Sequence, residues 1–571
     1  MSETKKRLTR REFLKFAGIA TSAGIVSACV APAPQTVVET VVVEKEVEKI
    51  VQETVEVEKV VTAAPAPVKK DTPIVIGTPT EDQGYFYPLT HFDYPGFFLS
   101  RGLLAYDFKG GSFDVVPALA KEYEVLDDGL RYRMHLRDDA VFHSGKPYEA
   151  EDSVWYLNME IQDDHPYHHL AVRGQSRASN VDHLEAVDKY TLDIYLTNVF
   201  PAEPDWLTSF HEWGPYNPET IMALEEDIVN QPDGLGPYKL LEWQKGTRTV
   251  LERHDKFWDP EEGKASQVIF RPIPEQQAMI AALEAGEIHW MGDVPVNEAL
   301  RLATTPGIKV ARRNTPYVWF ITLDMRKPPL DDVRVRQALN YAVDKETLIR
   351  DVLSGAGQRS YGPLGPEFGP YYAGDVVKHY DYDPQMAKDL LAEAGFPNGF
   401  DEIDGQKATL YTYTGRIGAQ KPVEMCEFIQ AQWQDVGVNV AIEVMDFGAF
   451  EEKRVAGEFA MATRGWTPST ADPDGIVHQN FHGEMRPPDG RNVTYLNDDE
   501  VNSLLDTAMS TIDMPKRIQA FLDAQKRIAE LAPWIFVDHE VAFEAYTDKL
   551  MDYVAWPGGR AAGVNWAWLQ A

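Results

Sequence analysis

Cysteine is nearly missing from this chain: Cys29 and Cys426 are the two among 571 residues. That count excludes thiolate-built zinc or iron–sulfur centres and any disulfide framework. Basic residues are the next shortage. Lysine and arginine number 55 against 89 aspartates and glutamates, a net charge of −34, so the chain lacks the cationic face that nucleic-acid phosphates require. Long hydrophobic runs are absent as well. The apolar stretch at 16–26 holds about a dozen residues, where a spanning helix takes ~20. There is no nucleophile elbow, His-Glu-x-x-His pair, phosphate loop or dinucleotide glycine fingerprint. The acidic pairs Asp127-Asp128, Asp138-Asp139 and Asp331-Asp332 fall where turns and helix caps use them, so nothing positions catalytic carboxylates. The expectation is a non-enzyme without a cofactor.

What is present begins with address signals. Thr9-Arg10-Arg11-Glu12-Phe13-Leu14-Lys15 has the form of a twin-arginine export signal, and Val26-Ser27-Ala28-Cys29 that of a lipobox. Together they predict a signal peptide over 1–29, with lipidation at Cys29 holding the mature chain outside the cytoplasmic membrane. Acylated Cys29 leaves Cys426 with no disulfide partner, and the surrounding 423–429 read as helix, which predicts a packed thiol. Residues 30–70 read as a tether. Its core, 37–61, is almost wholly Val, Glu, Lys, Thr, Ile and Gln. Val43, Val47, Ile50, Val57 and Val61 keep a 4-3 spacing that permits a short coiled coil. β-branched residues are mediocre helix formers, which favours a solvated spacer.

About 500 residues follow the tether, enough for more than one core. Strands are predicted at 73–77, 130–136, 191–196, 249–251, 268–270, 318–323, 439–444 and 534–537. Helices are predicted at 150–158, 276–285, 333–342, 345–353, 384–394, 422–436 and 515–531. Strands mixed with helices of these lengths indicate α/β layers. Asp331 or Asp332 caps one helix, Asp383-Pro384 starts another, and Gly395 stops it.

Six segments together resemble the family 5 (peptide/nickel/opine, cluster C) solute-binding proteins of bacterial ABC importers. The first runs from Pro117-Ala118-Leu119-Ala120 through Asp127-Asp128-Gly129-Leu130, Leu136-Arg137 and Phe142-His143-Ser144-Gly145-Lys146-Pro147 to Ala150-Glu151-Asp152-Ser153-Val154. The second is Gly234-Leu235-Gly236-Pro237-Tyr238-Lys239-Leu240 with Gly246 and Asp255-Lys256-Phe257-Trp258. The third is Lys327-Pro328-Pro329-Leu330-Asp331-Asp332-Val333-Arg334-Val335-Arg336-Gln337-Ala338-Leu339 with Ala342-Val343-Asp344. Tyr382-Asp383-Pro384 through Gly395, Ile429 to Trp433 with Gly437-Val438, and Gly465-Trp466 with Asp472-Pro473-Asp474 complete the set. The resemblance implies a two-lobe periplasmic-binding-protein-like fold (type II, cluster C) with the ligand cleft between lobes. Crossing strands are placed at 317–323 and 537–543, with lobe I at 71–316, lobe II at 317–540 and a C-terminal return to lobe I at 541–571. The implied partners are a small-molecule or peptide ligand and the transmembrane permease subunits of an ABC transporter, the membrane being reached through the lipid at Cys29.

The resemblance also narrows the ligand. Peptide-binding members carry an aspartate three residues after the Gly-Trp tryptophan, where it pairs with the peptide ammonium. Here Ser469 stands three residues after Trp466. A serine hydroxyl accepts a hydrogen bond but does not neutralise an ammonium. Peptide remains the favoured ligand, with oligosaccharide as the alternative because sugars stack on aromatic rings. Candidate ligand-binding residues are Phe92, Asp93, Tyr94, Tyr317, Trp319, Arg464, Gly465, Trp466 and Ser469, with Tyr85, Phe86 and Tyr87 as further cleft aromatics. Arg464 either meets a ligand carboxylate or forms a surface salt bridge. A nickel or metal-chelate carrier is the third reading, its histidines being His165, His168 and His169 or the pair His478 and His482; solvated loop histidines are the simpler account, so no metal is assigned.

Overall fold

Eleven of the described strands form one sheet whose middle is two long antiparallel strands, Ile308–Leu323 and Trp534–Thr547. The computed structural model describes residues 71–79, 95–107, 109–110, 112–170, 180–209, 214–414, 421–468, 471–488, 490–559 and 561–570. The export signal, Cys29, the 30–70 tether, the aromatics at 85–87, the trio Phe92, Asp93 and Tyr94, and Ser469 lie outside the described residues.

On one side of the long pair the sheet continues through Met461–Trp466, Thr409–Thr414 and Ala441–Asp446. On the other it continues through Trp290–Met291, Ile74–Thr78, Gln267–Pro272, Arg248–Arg253 and Tyr238–Gln244. Parallel pairs, such as Ile74–Thr78 on Gln267–Pro272, sit beside antiparallel ones, which is the mixed α/β pattern expected. A separate four-stranded antiparallel sheet holds Ala120–Leu126, Arg131–Leu136, Thr191–Leu196 and Val181–Asp188. Its first hairpin turns at Asp127, Asp128 and Gly129, all with positive φ, as the Asp128-Gly129 signal predicts.

The helices follow their sequence punctuation. Val333–Tyr341 is capped by Asp332, whose side chain accepts the Arg334 N–H. Pro384–Glu393 is capped by Asp383 accepting from Met386, with Pro384 in its first turn. Pro422–Asp435 buries Cys426 completely, and burial pushes that thiol up to about 12. The expected helix at 345–353 is regular only over Lys345–Thr347 and widens into a π turn at Leu348–Val352.

Apolar side chains collect in distinct cores. Trp319, Ile321, Leu339, Trp433, Ile535 and Val537 belong to one, and Val318, Phe320, Phe521 and Trp534 to a second across the same strands. Ile74, Phe98, Tyr238, Phe270 and Val564 make a third. The long strands change cores along their length: Ile308, Val310 and Phe543 pack with Met279, Leu283 and Leu302 instead. Their pairing slips between Asn314 and Val318, and again between Trp319 and Phe320.

Candidate ligand-binding site

Three strands far apart in sequence bring most of the described candidates together. Trp319 stands opposite Gly465 on one side and Asp538 on the other, and Val318 stands opposite Trp466 and His539. Directly opposed residues of antiparallel strands project to one face, so Trp319, Gly465 and Asp538 share a face.

Gly465 is the residue on which the local packing turns. A Cβ there would lie 2.2 Å from Tyr317 Cε1 and 2.9 Å from Trp319 Cε2. The missing side chain lets the two rings lie with centroids 5.5 Å apart, tilted by 33°. Tyr317 is half-buried, whereas Trp319 is wholly buried and offers no surface to a ligand in this conformer. Its indole N–H donates to Glu540 Oε2 at 3.4 Å.

Trp466 is half-buried and held by its Nε1–H, which donates to the Gly475 carbonyl at 2.9 Å. The guanidinium carbons of Arg491 and Arg464 lie 4.4 and 5.6 Å from its ring centroid. Of the two expectations for Arg464, the structure has the salt bridge, and it is buried rather than on the surface. Nε lies 3.3 Å from Glu451 Oε2, Nη1 donates to the Gly465 carbonyl at 2.7 Å, and the residue is 6% exposed. Burial raises the Glu451 carboxyl, but Arg454, Arg464 and Arg491 overcome it and hold the group below its usual range.

After Trp466 the chain enters the loop that carries Asp472-Pro473-Asp474. Asp472 accepts from both Nη atoms of Arg517, at 2.7 and 2.8 Å, and its Oδ1 also accepts the Asp474 N–H at 2.9 Å. Asp474 is buried, and burial first, then the Asp472 charge, raises its carboxyl well above the ordinary range. Next door, Tyr106 accepts the Ala471 N–H at 2.9 Å and donates to Asp205 at 3.4 Å.

Sequence reasoning missed Tyr106, Asp205, Arg491, Asp538 and Glu540. A usable signal existed for the last two: Trp-Ile-Phe-Val-Asp-His-Glu-Val-Ala-Phe places Asp538 and Glu540 at alternate positions in an apolar strand. A hollow of about 440 Å³, lined in part by Arg101, Arg137, Trp258, Glu262 and Trp566, includes none of the predicted residues. Its arginines are engaged, Arg101 with Glu262 and Arg137 with Asp139.

The histidine clusters are engaged in packing. His168 binds the Met159 carbonyl at 2.9 Å through Nδ1, and His478 stacks on His482 at 4.8 Å. Among the described residues, no three His, Cys, Asp or Glu side chains are grouped to hold a metal ion.

Comparison with known proteins gives a consistent result. The family described as bacterial extracellular solute-binding proteins, family 5 Middle, matches residues 114–486. Heme-binding protein A of Haemophilus influenzae is 29% identical over 79% of this chain and 84% of its own length. The dipeptide-binding protein of Escherichia coli K12 is 28% identical over 80% of this chain and 86% of its own. The structure of HbpA2 from Haemophilus parasuis superposes with a TM-score of 0.78 at 24% identity, covering 88% of this chain and all of that one.

Proposed function

This chain belongs to the family 5 bacterial extracellular solute-binding proteins, which bind solutes for ABC importers and are not enzymes, and from that premise we propose a lipid-anchored receptor for peptides. Export by the twin-arginine route and acylation at Cys29 come from the sequence signals at 9–15 and 26–29. The lobes are 71–316 with 541–571, and 317–540. The change of cores along the two long strands supports that division, and the pairing slip between Asn314 and Val318 supports a hinge there.

The observation that carries the reading is the wall built at the hinge. Gly465 has no side chain, the half-buried Tyr317 lies against the buried Trp319 on the face of Gly465, and the half-buried Trp466 follows on the other face of the same strand. Aromatic surface with a few fixed polar groups is what a small-molecule or peptide cleft needs. Closure of the lobes follows only from contacts made in the closed form, since equal binding to both forms shifts nothing. The closed pair of lobes is then what the permease subunits recognise. Peptide is the class of choice because a relative named for dipeptide binding aligns over most of the chain. Ser469 in place of the family's aspartate is the specific observation that favours oligosaccharide as the second reading.

The test is a thermal-shift screen of di- to octapeptides, cello- and manno-oligosaccharides and nickel chelates on the mature protein, since a ligand that binds only folded protein raises Tm. A rise with peptides, lost in Trp466→Ala, is expected. A rise with sugars and none with peptides overturns the ligand class.

A further inference from the structure

The hollow of about 440 Å³ is lined by none of the cleft candidates, and three segments far apart in sequence meet to build it. Gly263 N–H donates to the Asn565 carbonyl at 2.9 Å, and the Asn565 amide donates to the Phe97 carbonyl at 3.1 Å. Those two bonds hold together the stretches that carry Trp258 and Glu262, Trp566, and Arg101, all of which line the hollow. Tyr106 lines it as well, and its hydroxyl accepts the Ala471 N–H at 2.9 Å, so the hollow adjoins the proposed seam between the lobes.

The lining carries charge but no excess of either sign. Its cations are Arg101, Lys109 and Arg137, and its carboxylates are Asp107, Asp259 and Glu262. The Arg101 guanidinium, 3% exposed, is paired with Glu262 Oε2 and also donates to the Phe97 and Ser100 carbonyls at 2.7 and 2.9 Å. Glu262 is 10% exposed, and its Oε1 accepts no hydrogen bond among the described residues. Arg137 has its guanidinium carbon 4.6 Å from the Trp258 ring centroid and pairs with Asp139 at 2.7 Å. Asp107 and Asp259 each serve their own turn, accepting the Gly110 N–H at 2.6 Å and the Glu261 N–H at 2.8 Å.

An apolar guest would strip water from the Arg101–Glu262 pair and return no hydrogen bond, which is costly. A charged guest meets no surplus of the opposite sign. A guest with several hydroxyl groups suits the whole lining. Each hydroxyl both donates and accepts, so it can bridge guanidinium and carboxylate, while the C–H side of a sugar ring lies on an indole face. The volume falls within the ~300–1,000 Å³ of small-ligand sites. We propose that the hollow bounded by Trp258, Trp566, Arg101 and Glu262 is a second binding site, specific for an uncharged sugar of one or two rings. It is independent of what the cleft at Trp466 holds.

The experiment offers the mature protein glucose, maltose and cellobiose as neutral probes, and glucuronate and glucosamine as charged ones, reading affinity by saturation-transfer NMR. At least one neutral sugar is expected to bind about tenfold or more tightly than either charged probe. Trp258→Leu is expected to weaken that sugar about tenfold, while Trp466→Ala leaves it unchanged. Hydroxyl-radical footprinting of the wild type, which depends on no variant folding, is expected to show Trp258 and Trp566 protected by the sugar and Trp466 as reactive as before. Binding of no neutral sugar, or equal binding of the charged probes, overturns the site and leaves the peptide reading of the cleft standing. Protection of Trp466 with Trp258 still reactive also overturns it, and moves the sugar into the cleft in place of peptide.

Discussion

Arg517 and Asp472 form a two-point ion pair, Nη1 to Oδ2 at 2.7 Å and Nη2 to Oδ1 at 2.8 Å, with both side chains only 1% exposed. The same guanidinium donates to the Ala508 carbonyl at 3.0 Å and the Tyr371 hydroxyl at 3.1 Å. One side chain on the helix Met514–Leu531 therefore ties the helix Asp499–Ser510, Tyr371 and the loop that follows Trp466. Removing one partner strands the other charge in the interior, which costs about 3–5 kcal/mol. Arg517→Ala is expected to lose that much in urea unfolding, and Arg517→Met combined with Asp472→Leu is expected to lose less. A double variant that unfolds more easily than Arg517→Ala would contradict the account.

Gly465→Ala forces a methyl group into the space that Tyr317 and Trp319 occupy, where Tyr317 Cε1 would be 2.2 Å away. Trp319 is wholly buried in its core and Tyr317 only half-buried against it, so Tyr317 has to give way. The expected result is a loss of about 1–3 kcal/mol in stability, typical of overpacking, together with loss of ligand-induced Tm shift. Stability and ligand response both equal to wild type would show that the wall tolerates the methyl.

Acid should loosen a second joint. His143 Nδ1 accepts the Gly234 N–H at 3.2 Å while Nε2–H donates to the Gly236 carbonyl at 3.2 Å, which fixes the neutral ring with its proton on Nε2. Burial, and then the nearby His254, push its pKa from 6.5 down to about 4. The unfolded chain takes up this proton first as pH falls, so the contribution of His143 is whole above 6.5 and is lost on the way down to about 4. The stability gap between wild type and His143→Asn should be widest above pH 6.5 and close toward pH 4. A gap that does not change with pH would mean that His143 titrates alike in both states.

The joint at His143 also shows what the sequence could reveal. Phe142-His143-Ser144-Gly145 and Gly234-Leu235-Gly236 are legible as turns, and the structure sews them together: Ser144 N–H donates to Asp233 at 2.8 Å and His143 spans to both glycines. Helix ends were equally legible because Asp332, Asp383 and Gly395 act locally. The strand predicted at 318–323 begins at Ile308 instead. Lys309, Arg312, Arg313 and Asn314 give that half no apolar alternation, and only its partner on Trp534–Thr547 makes it a strand. Met461–Trp466 was missed because Arg464-Gly465 interrupts the run, yet it lies beside the centre of the sheet. The site residues at 464–466 and 317–319 were found as types, but their meeting depends on strand order, which no local pattern encodes.

The last relationship crosses the proposed lobe boundary. Tyr106, on the strand Leu104–Tyr106, accepts the Ala471 N–H beside Asp472, and Asp205, on the helix Glu203–Ser209, accepts from the Tyr106 hydroxyl. A hydrogen bond made only when the lobes meet stabilises the closed form by about 1 kcal/mol, so Tyr106→Phe is expected to weaken ligand binding about fivefold by calorimetry while leaving urea unfolding nearly unchanged. Asp205 works in the opposite direction. Burial, and then the charge of Asp472, raise its carboxyl well above the ordinary range. A raised carboxyl binds its proton more tightly in the closed form, so its contribution to closure is present at low pH and is lost as pH rises through the closed-form value. Asp205→Asn keeps an acceptor for Tyr106 and removes the charge that faces Asp472, so at neutral pH it should tighten binding and shrink the radius of gyration of the unliganded protein in solution scattering. If Asp205→Asn binds more weakly at neutral pH, the carboxylate is a support for closure and the sign of its electrostatic effect is reversed.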